Sequence, residues 1–389
     1  MNRDLTFVGL ALMTWGVGEG LFFFFQPLYL QELGANPVQI GDILSIVSVA
    51  MALAHLPAGY LSDRLGRRPM LIAAWVLGTL AAWIMALAHS ISFFVIGSAL
   101  YGLTNFVVVP LYSYVTAARG KWSIGRALTI ISATFNIGAV LGPLIGGWLS
   151  SRAGLRSNFI LASCLFVISS LLILLIRPQP VELPHPQDTT RLPERILNPK
   201  YLGFLLLIFI AMFSLTLPQP LSQNFMQDIR NLNRSQIGVL IAARSIGTIL
   251  LNLQFGRLNA RLGFVLSQTC MALCTLLLWL GTGFPIYIIG YLLMGSYQTA
   301  RILANAHGRS LVETSNMGLG FGVNESVMAI AAILAPFLAG RLFAIHPSLI
   351  YSVSLVLILF GVGISLFLLP FSPRERIPGD KERIKWTQS

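Results

Sequence analysis

Gly59-Tyr60-Leu61-Ser62-Asp63-Arg64-Leu65-Gly66 returns in altered form as Gly256-Arg257-Leu258-Asn259-Ala260-Arg261-Leu262-Gly263, 197 residues later. Working outward, Gln39-Ile40-Gly41 pairs with Gln236-Ile237-Gly238 at the same offset, and Gln26-Pro27-Leu28 pairs with Gln219-Pro220-Leu221 at an offset of 193. Downstream, Gly142-Pro143 with Gly146-Gly147 overlies Ala335-Pro336 with Ala339-Gly340, again at 193. One loop has gained four residues and a later region has lost four. Any single match could arise by chance, but their shared order along both halves marks a parallel internal repeat.

The solvent for this doubled chain is lipid. Of its 389 residues, 55% are hydrophobic and 10% charged, against roughly 25% charged in soluble domains. A spanning helix needs about 20 apolar residues, because lipid offers its backbone no hydrogen-bond partner. Twelve such stretches are expected, at 5–30, 38–60, 69–89, 91–116, 124–150, 157–176, 201–222, 236–256, 264–283, 285–306, 318–342 and 347–370. The fold class is therefore an all-α membrane protein of two pseudo-symmetric six-helix bundles, 1–177 and 201–370. Between them lies a linker, 178–200, with Pro178, Pro180, Pro184, Pro186, Pro193 and Pro199, and a tail follows at 371–389. Proline removes backbone donors and stiffens the chain, so the linker cannot span.

The first stretch exceeds a signal-peptide core and has no small-residue cleavage site at its polar end, so it is read as retained. Cys164, Cys270 and Cys274 fall inside helices as packing residues, which implies neither disulfide nor zinc. The net charge of +12 encodes orientation rather than a nucleic-acid partner. Arg64, Arg67, Arg68, Arg119, Lys121, Arg177 and the tail from Arg374 to Lys385 share the face of the termini. Arg152, Arg156, Arg230, Arg234 and Arg341 lie opposite, and Arg244 and Arg301 lie within helices. The positive-inside rule then puts both termini in the cytoplasm of a multi-pass inner-membrane protein.

Gly59 to Arg68 closely resembles the signature loop between helices 2 and 3 of the major facilitator superfamily. Such a loop needs a tight turn, which glycine permits, with an acid and several bases able to pair differently in two conformations. The resemblance makes Gly59, Asp63, Arg64, Gly66, Arg67 and Arg68 a conformational latch, with Asp63 facing the N-terminal end of helix 11. Ala260 replaces that aspartate in the second copy, so only the first half carries a strong latch. Helix 5 carries Gly138, Gly142, Pro143, Gly146 and Gly147, which resembles the later part of a motif of this superfamily's antiporters. Thr129 stands where an earlier glycine falls in that motif. Small residues four apart also permit close helix contact by themselves. The arginine that family members carry in helix 4 is missing, its region holding Ser98, Tyr101 and Thr104.

Charges inside the membrane cost at least about 2.5 kcal/mol at a helix centre even on the mildest scale, which makes their positions informative. Four stand out: Glu19, Arg244, Arg301 and Glu325. At about 1.5 Å per residue, Glu19 and Arg244 both lie roughly 20 Å above the inner face, and Arg301 and Glu325 roughly 6 to 11 Å. Each acid thus has a base at its own level, either as a static pair or as groups that line a cavity and titrate or bind substrate. Trp15, Glu19, Phe22 and Gln26 share one face of helix 1, and Met294, Tyr297, Arg301 and Asn305 one face of helix 10. Tyr101, Asn105 and Tyr112 do so on helix 4, and Thr216, Gln219 and Gln223 on helix 7. Helices 1, 4, 7 and 10 are the cavity-lining set that the resemblance implies. Phe22-Phe23-Phe24-Phe25 covers every side of a turn, so most of it is expected to face lipid.

The chain contains no His-Glu-x-x-His, no Gly-x-Ser-x-Gly and no phosphate loop, and neither an enzyme nor a cofactor or metal is expected. The resemblance implies a monomeric secondary transporter that moves a small organic solute by alternating access. Proton-coupled export of an amphipathic compound is the leading expectation, with Glu19 and then Glu325 as proton carriers. The alternatives are uptake or exchange of an organic anion held by Arg244 and Arg301, or a receptor of the same fold that does not transport.

Overall fold

The computed structural model describes residues 3–179, 199–311 and 317–368, with backbone only at 55–65, 200, 309, 310, 317–319 and 368. These residues form twelve helical spans. In the first half, α1 runs Arg3–Phe22, tightens into a 3-10 turn at Phe23–Phe25 and resumes at Gln26–Glu32. Then come α2 (Pro37–Leu65), α3 (Arg67–Ala86), α4 (Ile91–Leu103, Thr104–Val107 and Val108–Ala118), α5 (Ile124–Ala153) and α6 (Arg156–Leu174). The second half holds α7 (Pro199–Thr216 and Ser222–Asp228), α8 (Arg234–Phe255), α9 (Ala260–Leu280), α10 (Phe284–Met294 and Ser296–Ser310), α11 (Met317–Ile345) and α12 (Leu349–Leu368). Pro199 thus already belongs to α7, while 180–198 of the expected linker and the tail at 371–389 lie outside the described residues.

Ten of the spans are long and apolar enough to cross a bilayer as they stand. The other two, α7 and α10, are broken. So are α1 and α4, and the breaks have local causes. Pro27 cannot donate to Phe23, Pro110 cannot donate to Phe106, and Pro218 and Pro220 interrupt α7 in the same way. In α10 the break falls at Gly295, where a Cβ would meet the α8 backbone at Gly247 and Thr248. Gly102 makes the matching approach in the first half, against Val47 and Ala50. The four broken helices are the four that the family resemblance makes cavity-lining.

The two halves meet at the face opposite the termini. There Asn36 and Gln39 cap α2 reciprocally, each side chain accepting from the other's backbone N–H at 2.9 Å. Asn233 and Gln236 form the same capping box on α8. Two residues beyond each glutamine, a glycine lies on the opposite half. A Cβ on Gly41 would meet the Pro336 carbonyl and lie 3.0 Å from the Gly340 Cα. One on Gly238 would meet the Pro143 carbonyl and lie 2.9 Å from the Gly147 Cα. These two seams, α2 with α11 and α5 with α8, are related by the internal repeat.

Polar contacts ring the seams. Arg341 Nη1 donates to Asp42 Oδ1 at 2.7 Å, and Arg234 pairs with Glu32 while also donating to the Ser150 carbonyl at 3.1 Å. Gln31 donates to Asp228 at 2.9 Å and accepts from Asn224 at 2.5 Å. A small pocket lined in part by Gln31, Leu221, Asn224 and Phe343 sits at this corner. Among the described residues, no comparable packing joins α1 to the first segment of α7, or the last segment of α4 to that of α10.

One expectation needs correction. Phe22 and Phe25 are fully buried, and Phe23 and Phe24 are half-buried against the core, so the phenylalanine run faces protein. The 3-10 turn redirects these rings, which a regular helix would have spread around its axis. The two copies of the signature loop also fold differently. Gly66 alone joins α2 to α3, with φ at 86°, a conformation only glycine adopts readily. In the second half Gly256–Asn259 make the connection, and the Asn259 side chain caps α9 by accepting from Leu262 N at 2.7 Å. Arg68 and Arg261 donate to the terminal carbonyls of α6 and α12 at Leu174 and Leu366.

Gly41→Leu and Gly238→Leu each put a side chain where the opposite backbone lies, at an overpacking cost of about 1–3 kcal/mol. In a chain lacking Cys164, Cys270 and Cys274, cross-linking of Gln31→Cys to Asp228→Cys by a short thiol reagent is expected to drop severalfold in either variant. Undiminished cross-linking would mean that the glycine contacts do not hold this face shut.

Candidate functional site

The first half builds its part from rings. Trp15 stacks on Phe166 with centroids 3.9 Å apart and lies 5.3 Å from Trp75, and Phe22 meets Tyr101 edge-on at 5.1 Å. Gly78 and Gly18 make room, since a Cβ at either would run into Trp15 or Phe166 respectively. The Trp75 indole donates to Ser169 Oγ at 2.7 Å, and Ser169 donates to the Ala11 carbonyl at 2.7 Å, which ties α1, α3 and α6 together. Trp15, Phe22, Gln26 and Tyr101 are consequently packed inside the N-terminal bundle rather than open to a central space. Against this wall stands Glu19, half-buried, accepting a hydrogen bond from the Tyr101 hydroxyl at 3.0 Å.

The second half supplies cations. Arg244, in the middle of α8, donates through Nη2 to Gln219 Oε1 at 2.6 Å, and its guanidinium carbon lies 4.7 Å from the Phe24 ring centroid. Gln219 sits in the break of α7, and Phe24 in the 3-10 turn of α1, so this cation–π contact crosses between the halves. The pairing of Glu19 with Arg244 expected from depth is not formed; each has found a neutral partner on its own half instead. Arg301 and Glu325 do meet, at 2.5 Å, and Asn305 donates to the other carboxylate oxygen at 2.6 Å. The pair is only partly buried, with 38% and 26% of the side chains exposed. One turn along α10, Tyr297 accepts from Thr216 at 3.4 Å, and Asn105 stands half-buried in the 3-10 turn of α4.

Helix α5 serves both faces at once. Gly138, Gly142 and Gly146 lie against the α1 backbone at Met13, Val17, Gly20 and Leu21, whereas Gly147 and the Pro143 carbonyl lie against α8. The glycine motif thus binds α5 to its own half along one edge and to the other half along the next. Of the signature loop, Arg67 donates to Gln179 at 3.4 Å and Arg68 to the Leu174 carbonyl at 3.1 Å. The side chains of Gly59, Asp63 and Arg64 lie outside the described residues. Among the described residues, no three His, Cys, Asp or Glu gather as metal ligands.

Phe24 is the site residue that sequence reasoning missed. The signal was Pro27, whose missing N–H breaks α1 four residues earlier and turns the ring inward. A second signal lay in the repeat itself. Laid on the other half at offsets of 193 or 197, Glu19 falls on Met212, Arg244 on Val47, Arg301 on Val108 and Glu325 on Ser132. Every intramembrane charge has an uncharged counterpart.

At 21% identity, the chain resembles multidrug resistance protein 2 of Bacillus subtilis (strain 168) over 366 residues, 90% of this chain and 91% of the relative. A stretch of 184 residues is 33% identical to the multidrug resistance protein MdtG of Enterobacter lignolyticus (strain SCF1), covering 46% of this chain and 44% of that one. Among solved structures, the nucleoside transporter NupG superposes with a TM-score of 0.75 at 14% identity, covering 95% of this chain and 98% of its own. A bacterial homologue of the human lysosomal transporter Spinster, in an inward-facing and occupied conformation, superposes with a TM-score of 0.74 at 14% identity, covering 94% and 96%. The sequence profile of the Major Facilitator Superfamily matches twice, at residues 8–203 and 202–388, once per half, and the chain belongs to that superfamily.

Proposed function

We propose that this transporter exports a small amphipathic organic compound from the cytoplasm in exchange for protons. The observation that carries the reading is Glu19, a carboxyl in mid-helix whose hydrogen-bond partner is a phenol and which has no cationic partner among the described residues. Such a group can take up or release a proton without leaving an orphaned cation behind. Glu325 is the weaker candidate, because Arg301 and Asn305 already engage both of its oxygens. The resemblance to two multidrug resistance proteins supports export of amphipathic compounds.

The basic residues of the inner loops and tail support a cytoplasmic face for the termini. With that orientation, the seams close the outer side and the central space opens inward. Alternation then consists of parting Gly41 from Gly340 and Gly147 from Gly238 while the opposite ends close. The latch role of Asp63 and Arg64 belongs to that closed inner side.

In proteoliposomes with an imposed pH gradient, the parent chain is expected to accumulate at least one of a panel of amphipathic aryl compounds. Glu19→Gln should abolish gradient-driven accumulation while binding persists. Accumulation that survives this change would transfer the coupling role to Glu325 or to another ion.

Arg301→Gln and Glu325→Gln each leave one charge alone. Loss of one partner from a fully buried pair costs about 3–5 kcal/mol, and solvent screening at this partly open pair reduces that to about 1–2 kcal/mol. The double variant is expected to regain the melting temperature but not the flux. Recovery of both would make the pair structural only.

A further inference from the structure

The charges of the central space are not equivalent. Arg301 has its carboxylate, and Glu19 can exist as a neutral acid. Arg244 has neither recourse, because a guanidinium does not give up its proton in proteins. Its partners are the Gln219 amide and the Phe24 ring, and the titratable groups that interact with it most are Tyr291, Tyr297 and Cys274. No carboxylate lies within ion-pair distance of it among the described residues.

Packing does not demand an arginine there. The first half builds the same position with Val47, buried against Gly102 of the broken α4. Arg244 likewise stands beside Gly295 of the broken α10, so the scaffold is common and the charge is an addition. The surroundings hold it in place. Gln219 Nε2 is tied to the Leu215 carbonyl at 2.6 Å, which leaves Oε1 as the atom turned to the guanidinium. That bond uses one of five N–H donors. Arg244 stands between Gln219 of its own half and Phe24 of the other, and the Gln219 bond leaves the other donors for a ligand between the halves.

We infer that Arg244, with Gln219 beside it and Phe24 across from it, is the subsite for the anionic group of the transported compound, which is an organic monoanion with an aromatic or apolar body. The inference rests on the transport reading above and names its substrate class. A planar carboxylate or sulfonate can accept two parallel N–H bonds from the guanidinium. One fixed positive charge is neutralised by one negative charge. Phe24 belongs to the other half, so it leaves the guanidinium when the halves part and returns when they close, and the subsite changes with the cycle. Arg301 is not part of it, since Glu325 and Asn305 already occupy that level.

Three probes of one shape separate charge from hydrophobicity: naphthoate, naphthamide and naphthylmethylammonium. Binding is measured on the full chain in lipid nanodiscs, and flux on the same chain in proteoliposomes. Naphthoate is expected to bind at least about tenfold tighter than either isostere, the ratio that about 1.4 kcal/mol produces. Arg244→Gln should erase this preference. Arg244→Lys, which keeps the charge without the planar fork, should retain part of it and serves if the glutamine variant does not fold. Absence of a carboxylate preference in the parent chain, or its survival in Arg244→Gln, overturns the inference. Flux separates the two claims. Transport of the amide or the ammonium without charge preference keeps the carrier and removes the subsite, whereas selective naphthoate binding with no flux of any probe keeps the subsite and removes the carrier.

Discussion

Backbone laid against backbone at Gly41 with Gly340 and at Gly147 with Gly238 is the contact on which the rest of the molecule depends. Lipid gives helices no hydrophobic reason to associate, so close van der Waals approach and interhelical hydrogen bonds must do it. Glycine allows that approach, and it leaves no interlocked side chains to be disengaged when the surfaces separate. The capping boxes at Asn36 and Asn233 fix where α2 and α8 begin, which sets each glycine at the height of its partner. Around these dry points the ion pairs Arg341–Asp42 and Arg234–Glu32 are partly open to solvent. Exposed pairs of this kind each contribute little, about 0–1 kcal/mol, which suits an interface that has to open.

The seams gather at one end, and the broken helices α1, α4, α7 and α10 are the set that the family resemblance makes cavity-lining. The repeat builds this frame twice with uncharged residues and then departs from itself at four places. The first half receives the Glu19 carboxyl, and the second half receives Arg244 and the Arg301–Glu325 pair. The phenylalanine that touches that arginine comes from the first half, through a turn created by Pro27. Relative motion of the halves would therefore change what surrounds Arg244 without any side chain having to be rebuilt.

Much of this was legible in the sequence, because the bilayer restricts a spanning chain to so few solutions. Twelve apolar stretches, the repeat offsets and the glycine motif led directly to twelve spans, two halves and the close approach of α5. Arg301 with Glu325 was legible too, since equal depth on neighbouring helices is nearly sufficient for contact. Glu19 with Arg244 shared a depth but not a direction, and depth carries no information about rotation about the helix axis. The phenylalanine run was misread for the same reason. A regular helix was assumed across Phe22–Phe25, where a proline further along had already altered the geometry. Trp15, Phe22 and Gln26 share a helical face with Glu19, but only the positions of Gly18 and Gly78 decide that this face packs on α3 and α6.

The central claim is that the two halves rock about the glycine seams under control of a proton. Pulsed electron-spin distance measurement tests it most directly, with labels at Ala153 and Ile345 across the seam face and at Lys121 and Leu258 across the face of the termini, in a chain lacking its three native cysteines. The account predicts two distances at each pair, with populations that shift in opposite senses between mildly acidic and mildly alkaline solution. A single distance at both pairs, unmoved by pH, would contradict it.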